Sequence, residues 1–317
     1  MKSRTITGLV VAAALAFGFT VLTAAQPTFT RIVVFGASLS DSGNAFALRG
    51  GRNTPPDYDV DLFLVPSSPY DRGGHHFSNG ATWIEQFARV RGLAGSVRPA
   101  FASSDSGATN FAVGGARAHE DGINLNLTAQ VDEFLQRLGG VAPSDALYVV
   151  EMGGNDIRDA LVVFAGGGDG GPILVEANTR IADNLFALYL AGARRFLVWR
   201  APDVGLAPAV TALGPQASGL ATFLSGQFND GLDTVVAGLS ALPGITIVRL
   251  DAFKLLNDIV SAPAAFGLAN ATLPCVTPNV APFFCQQPDA YLFWDGIHPT
   301  SAGHAILAQE AARVLGQ

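Results

Sequence analysis

Ile32-Val33-Val34-Phe35-Gly36-Ala37-Ser38-Leu39-Ser40-Asp41 passes from an unbroken apolar run to small and polar side chains. The apolar run reads as a buried strand of a parallel sheet. A strand ended by glycine and small residues hands a side chain to the carboxyl edge of its sheet, where open α/β folds place their ligands. Ser38 is therefore a candidate nucleophile, although the same position suits a plain turn or a helix N-cap. Deciding between them requires a base, an orienting acid and an oxyanion site elsewhere in the chain.

Working outward, Ala146-Leu147-Tyr148-Val149-Val150 is a second buried strand, running into Glu151-Met152-Gly153-Gly154-Asn155-Asp156. Further strands are expected at Phe196–Trp199 and Ile245–Val248, with a short one in Ala108–Ala116 ahead of Gly114 and Gly115. Helical patterns fall at Thr82–Ala88, Leu127–Leu138, Leu174–Ala191, Ala221–Leu239 and Ser301–Leu315. The glycine run Gly166–Gly171 reads as a flexible connector, and Gly50–Gly80, with four prolines, as a long loop. Both are expected to shape a pocket mouth. His75 and His76, within that loop, read as solvated histidines. Strands and helices alternate with connections too long for hairpins, which points to a doubly wound α/β domain with a mostly parallel sheet.

The 317 residues are 49% hydrophobic and 14% charged, enough for a substantial core. A net charge of −7 argues against a nucleic-acid partner, since no basic face is available to release counterions. Lys2 and Arg4 precede an apolar run from Gly8 to Leu22, and Thr23-Ala24-Ala25 offers a cleavage site. Residues 1–25 are expected to be a signal peptide and 26–317 a single domain, secreted or periplasmic, with no membrane span after cleavage. An uncleaved anchor is the alternative, because the run approaches spanning length. In an exported chain Cys275 and Cys285, in one Pro-rich loop, read as a disulfide; two buried thiols are the alternative. Two cysteines are too few for structural zinc, and no phosphate-binding glycine loop precedes a Lys-Ser/Thr pair, so no metal or cofactor is expected.

Of the five histidines, only His298 has an acid poised in its local sequence, Asp295-Gly296-Ile297-His298-Pro299. Residues three apart can face each other, so Asp295 can hold one ring nitrogen while the other takes a proton from a serine. Alternatively, Asp295 caps the turn and His298 lies at the surface. Asn155, after two glycines at a strand end, can donate its amide to a developing oxyanion, or it can cap the next helix. Gly115 and Ser38 can add backbone N–H donors. Asp156 reads as backbone support.

Taken together and in this order, these segments resemble the GDSL-type esterases and lipases of the SGNH hydrolase superfamily. Phe35–Asp41 resembles the nucleophile block, Asn110–Ala116 the glycine block, Gly153-Gly154-Asn155-Asp156 the Gly-x-Asn-Asp block, and Asp295–Pro299 the Asp-x-x-His block. Phe77-Ser78-Asn79-Gly80 with Trp83 also matches a run common in this branch. The resemblance implies a flavodoxin-like three-layer α/β/α sandwich with Ser38 as nucleophile, His298 as base and Asp295 as orienting acid. It also implies an oxyanion hole of Ser38, Gly115 and Asn155, with Gly114 as the alternate glycine. The implied function is a secreted serine esterase or lipase acting on small-molecule or lipid esters through an acyl-enzyme. Acyltransferase and phospholipase activities use the same residues, and a non-catalytic exported binding protein is the reading from another class. One position departs from the family: Ala37 stands where an aspartate is usual, which removes a carboxylate beside the nucleophile.

Overall fold

The computed structural model describes residues 29–51, 70–71, 75–277 and 283–316. The leader expected over residues 1–25 and most of the Gly50–Gly80 loop lie outside them. Four parallel strands stand side by side in chain order: β1 (Arg31–Gly36), β2 (Ala146–Glu151), β3 (Arg195–Arg200) and β4 (Thr246–Asp251). Their register sets Gly36 opposite Glu151, and Val150 opposite Val198. β2 is buried throughout, which is why its sequence is apolar at successive positions rather than alternating.

β1 is flanked on its other side as well. Val34 N–H donates to the Thr109 carbonyl at 2.9 Å, Phe111 N–H to Val34 at 2.7 Å, and Val113 N–H to Gly36 at 3.1 Å. The strand expected in Ala108–Ala116 is reduced to this pairing, because the Gly36 N–H, which would continue the ladder, donates instead to Gln130 Oε1 at 2.9 Å. The chain thus leaves β1 toward one neighbour and later returns to the other. That reversal puts the topological switch point, the usual ligand position of an open α/β sheet, at the carboxyl end of β1.

The helices are α1 (Asn44–Leu48), α2 (Trp83–Arg89), α3 (Leu127–Arg137), α4 (Gly154–Ala165), α5 (Gly171–Ala191), α6 (Pro208–Thr211), α7 (Pro215–Leu239), α8 (Ala252–Ser261) and α9 (Ser301–Val314). A short parallel pair, β5 (Asn270–Pro274) and β6 (Tyr291–Phe293), lies apart from the main sheet. The period-2 alternation of the strands divides the core into two layers. Val33, Phe35, Tyr148, Val150, Phe196 and Val198 face α3, α4, α5 and α7. Ile32, Val34, Leu147, Val149, Leu197 and Trp199 face α2, α9 and the start of α8. This is the three-layer α/β/α sandwich. Each fully buried aromatic or branched side chain contributes roughly 1.5–3 kcal/mol. α3 is keyed to the sheet by Phe134, whose ring meets Phe35 edge-on at 5.6 Å and Tyr148 at 5.9 Å.

One expectation is corrected here. His76 is not solvated: it is fully buried, with Nε2 2.8 Å from Glu85 Oε2. Burial pushes the Glu85 carboxyl up, but His76 and the Thr82 N–H and hydroxyl outweigh it and hold the group below its ordinary range. The pair anchors the start of α2, where Glu85 also accepts the Thr82 N–H at 2.9 Å. Gly166–Gly171 is the connector between α4 and α5, exposed over residues 166–169 and packed closely at one position. A Cβ at Gly170 would lie 2.4 Å from the Ala160 carbonyl oxygen, so the glycine there serves close backbone approach.

Candidate active site

Ser38 follows β1 on a turn held from below by Asp41. This fully buried carboxylate accepts the N–H groups of Gly43, Asn44 and Ala45, and at 2.8 Å that of Gly114. Burial pushes Asp41 above the ordinary carboxylate range, against the pull of its four backbone donors. One side chain therefore ties the turn that carries Ser38 to the glycine block.

The Gly114 N–H is spent on Asp41, whereas among the described residues nothing accepts the Gly115 N–H. Gly115 has φ +86°, which favours glycine, and its carbonyl is held by the Arg117 guanidinium. Arg117 is fixed in turn by Asp159 at 2.7 Å. Asp156 supports the same loop, accepting Ala118 N–H at 3.0 Å, His119 N–H at 2.9 Å and His119 Nδ1 at 2.8 Å. The expectation that it serves the backbone agrees with this geometry.

Asn155 occupies the first turn of α4 and is not its cap; Gly153 is the N-cap, at φ +110°. A Cβ at Gly153 would also fall 2.4 Å from the Phe228 ring. Asn155 Nδ2 donates to the Ala116 carbonyl at 2.8 Å, which orients the amide and leaves its second N–H.

The late loop completes the arrangement. His298 Nε2 lies 2.9 Å from Ser38 Oγ, and its Nδ1 lies 2.8 Å from Asp295 Oδ2. Asp295 and His298 are buried, so the surface alternative for His298 is set aside. Asp295 also caps the turn, because Oδ1 accepts the Ile297 and His298 N–H groups, each at 2.7 Å. Both readings of this aspartate hold together, one at each oxygen. An ionised Asp295 only accepts, so Nδ1 carries the hydrogen and Nε2 is left to accept from Ser38.

Three residues escaped the sequence reading. The Tyr70 hydroxyl donates to Asp295 Oδ2 at 2.7 Å, from within the long loop. Asp41 stood inside a quoted block without a role. Glu151, the last residue of β2, is buried under the turn that carries Ser38; burial pushes its pKa up to about 7, against the pull of the Ala37 N–H and Ser40 hydroxyl. An acidic residue ending an otherwise apolar strand was the available signal.

Ser38 and Asn155 open onto a cavity of ≈ 230 Å³ walled chiefly by Leu161, Val162, Val210, Leu213, Leu255 and Ile259. No glycine of the 166–171 run lines it. The arrangement provides a hydroxyl beside an acceptor nitrogen, backbone and amide donors nearby, and an apolar chamber.

The family model described as GDSL-like lipase/acylhydrolase matches residues 32–311. A GDSL esterase/lipase of Arabidopsis thaliana is 28% identical over 353 residues, covering 98% of this chain and 94% of its own. The thermolabile hemolysin of Vibrio parahaemolyticus is 28% identical over 305 residues, covering 90% of this chain and 64% of its own. Among solved structures, an extracellular lipase from Streptomyces rimosus aligns with a TM-score of 0.41 at 16% identity, covering 89% of this chain and 99% of that one.

Proposed function

The chain belongs to the GDSL-like lipase/acylhydrolase family and is a carboxylic ester hydrolase, and we propose that it works through an acyl-enzyme on Ser38. Ser38 Oγ attacks the ester carbonyl as His298 Nε2 takes its proton. Asp295 holds the imidazole in the required tautomer and stabilises the imidazolium. The Ser38 and Gly115 N–H groups, with the Asn155 amide, receive the oxyanion of the tetrahedral intermediate. His298 then protonates the leaving alcohol. Water, deprotonated by the same imidazole, releases the acid.

The observation that carries this reading is the pair of contacts through one imidazole, 2.9 Å to Ser38 Oγ and 2.8 Å to Asp295 Oδ2. The apolar cavity beside Ser38 supports an acyl chain as the buried part of the substrate. Export is part of the proposal, supported by the leader-like first 25 residues and by the Cys275–Cys285 disulfide. Among the described residues no helix is long and apolar enough to cross a membrane.

A fluorophosphonate probe is expected to label Ser38 and to leave Ser38→Ala unlabelled; undiminished labelling of that variant would refute the nucleophile. Asn155→Ala should lower turnover on a nitrophenyl ester by roughly 10²–10³-fold, the usual consequence of losing one oxyanion donor. Near-native turnover would remove Asn155 from the hole.

A further inference from the structure

Glu151 is a carboxyl group that the reaction above does not use, yet it lies directly beneath the nucleophile turn. Its Oε2 accepts the Ala37 N–H at 3.2 Å, and it is 5% exposed. A Cβ placed on Gly36 would lie 3.0 Å from that oxygen and 3.3 Å from Ser40 Cβ, so glycine there lets the carboxyl reach the turn. The donors around it are ordered. Trp83 Nε1 donates to Ser40 Oγ at 2.9 Å, and an indole N–H can only donate. Ser40 Oγ is therefore an acceptor toward Trp83, and its own hydrogen is free for the Glu151 carboxylate that it meets. Glu151 thus takes one hydrogen from the peptide before Ser38 and one from a hydroxyl two residues after it. Ala37 brings no carboxylate of its own to this turn.

We propose that Glu151 is a positioning residue for Ser38: its carboxylate, reaching over from β2, holds the Ala37–Ser40 turn in the conformation that sets Ser38 Oγ against His298. The hold belongs to the ionised form. Once protonated, the carboxyl must itself donate a hydrogen, and both of its neighbours on the turn are already donating. The chain from Trp83 through Ser40 to Glu151 then has one hydrogen too many, and the turn loosens. The other ionisable groups near the turn are Asp41, held by its backbone donors, and His298 across Ser38. Arg158 and Asp203 share the cavity wall with Glu151. Burial raises the Glu151 pKa to about 7, so the transition falls within the working range of a hydrolase.

This inference rests on the acyl-enzyme reading, and the two are separable. If the native protein fails to label at Ser38, that reading falls and this one with it. With labelling established, the test is the pH profile of kcat/KM on a soluble nitrophenyl ester, which reports groups of the free enzyme. In the native enzyme activity needs the base free of its proton and falls a further tenfold or so as Glu151 is protonated, so the acid limb should depart from a single first-order transition. In Glu151→Gln the limb should become first order, with kcat lowered about tenfold and KM little changed, because misplacing a nucleophile affects chemistry more than binding. A Glu151→Gln profile superimposable on the native one would overturn the proposal. Ser40→Ala gives an independent reading should Glu151→Gln fold poorly. Loss of one donor to Glu151 should move the acid limb to higher pH, whereas a purely structural defect would lower the profile without moving the limb. An unmoved limb in Ser40→Ala would likewise count against Glu151.

Discussion

Asp295 has every acceptor site engaged: two backbone N–H groups at Oδ1, and His298 Nδ1 with the Tyr70 hydroxyl at Oδ2. Such a carboxylate cannot swing, and the imidazole it holds cannot rotate. The Tyr70 hydroxyl is the one partner removable without touching the turn or the base. Tyr70→Phe keeps the buried ring and deletes only the donor. A hydrogen bond to a charged group is worth about 1.5–3 kcal/mol, and stability should fall by that order. Turnover should fall several-fold at unchanged KM, far less than the roughly 10⁴-fold expected of Asp295→Asn, which removes the charge. Denaturant melts and steady-state kinetics check both. Glu151 yields a prediction of opposite sign for stability. In the fold its pKa is raised to about 7 from the ordinary 4.5. The group therefore costs nothing below the unfolded value, and the cost grows as pH rises to about 7, to on the order of 3 kcal/mol. Glu151→Gln should accordingly be more stable than the native chain in urea at pH 8 and no more stable at pH 4. Equal differences at the two pH values would mean that the buried carboxyl is not the source.

At the scale of elements, the docking of α2 against α9 rests on a histidine outside the site. His304 on α9 is buried, and its Nδ1 accepts the Trp83 N–H at the first turn of α2, 3.2 Å away. Burial, with smaller contributions from His298 and His76, lowers its pKa to about 3. A neutral imidazole is thus required in the fold, while the unfolded chain binds a proton near the ordinary 6.5. The stability this provides is complete above pH 6.5 and is lost as pH falls toward 3. His304→Gln should flatten the stability profile across that window at some cost at neutral pH, as read by melts from pH 4 to pH 8. A variant with the native acid slope would place the sensitivity elsewhere. Element by element, β1, β2 and β3 were legible because buried parallel strands carry near-continuous apolar runs, and the longer helices because their apolar positions recur at helical spacing. α1, five residues long, and the β5–β6 pair were not, since neither is long enough to show a period. The 109–113 segment is shorter than expected for a different reason: its pairing is cut short by a side chain, Gln130, which takes the Gly36 N–H and which no backbone pattern announces.

Across the whole molecule, the candidate site joins residues 260 positions apart, and His298 meets Ser38 only because β1 and the 295–298 loop reach the same end of the sheet. The motif residues could be read because each block ends a strand or a turn with a recognisable signal. Tyr70 could not, since nothing local distinguishes a loop tyrosine that will be buried. What buries it is a small satellite core of Tyr70, Val276 and Trp294, closed by Cys275, Phe283 and Cys285. Cys275 N–H donates to the Phe293 carbonyl and Val276 N–H to that of Trp294, each at 2.9 Å, so the disulfide segment lies against the strand that leads into Asp295. These residues form a cluster separate from the two main layers of the core. Reduction should therefore remove about 2–3 kcal/mol for so short a loop, and remove it locally. Far-UV dichroism of the sandwich should persist while activity declines, because the satellite core no longer presses Tyr70 onto Asp295. If that is the route, the loss on reduction and the loss in Tyr70→Phe share a cause and must fail to add. The reduced Tyr70→Phe enzyme should then be scarcely slower than the oxidised variant. Fully additive losses in that cycle would show that the disulfide reaches the site by some path other than Tyr70.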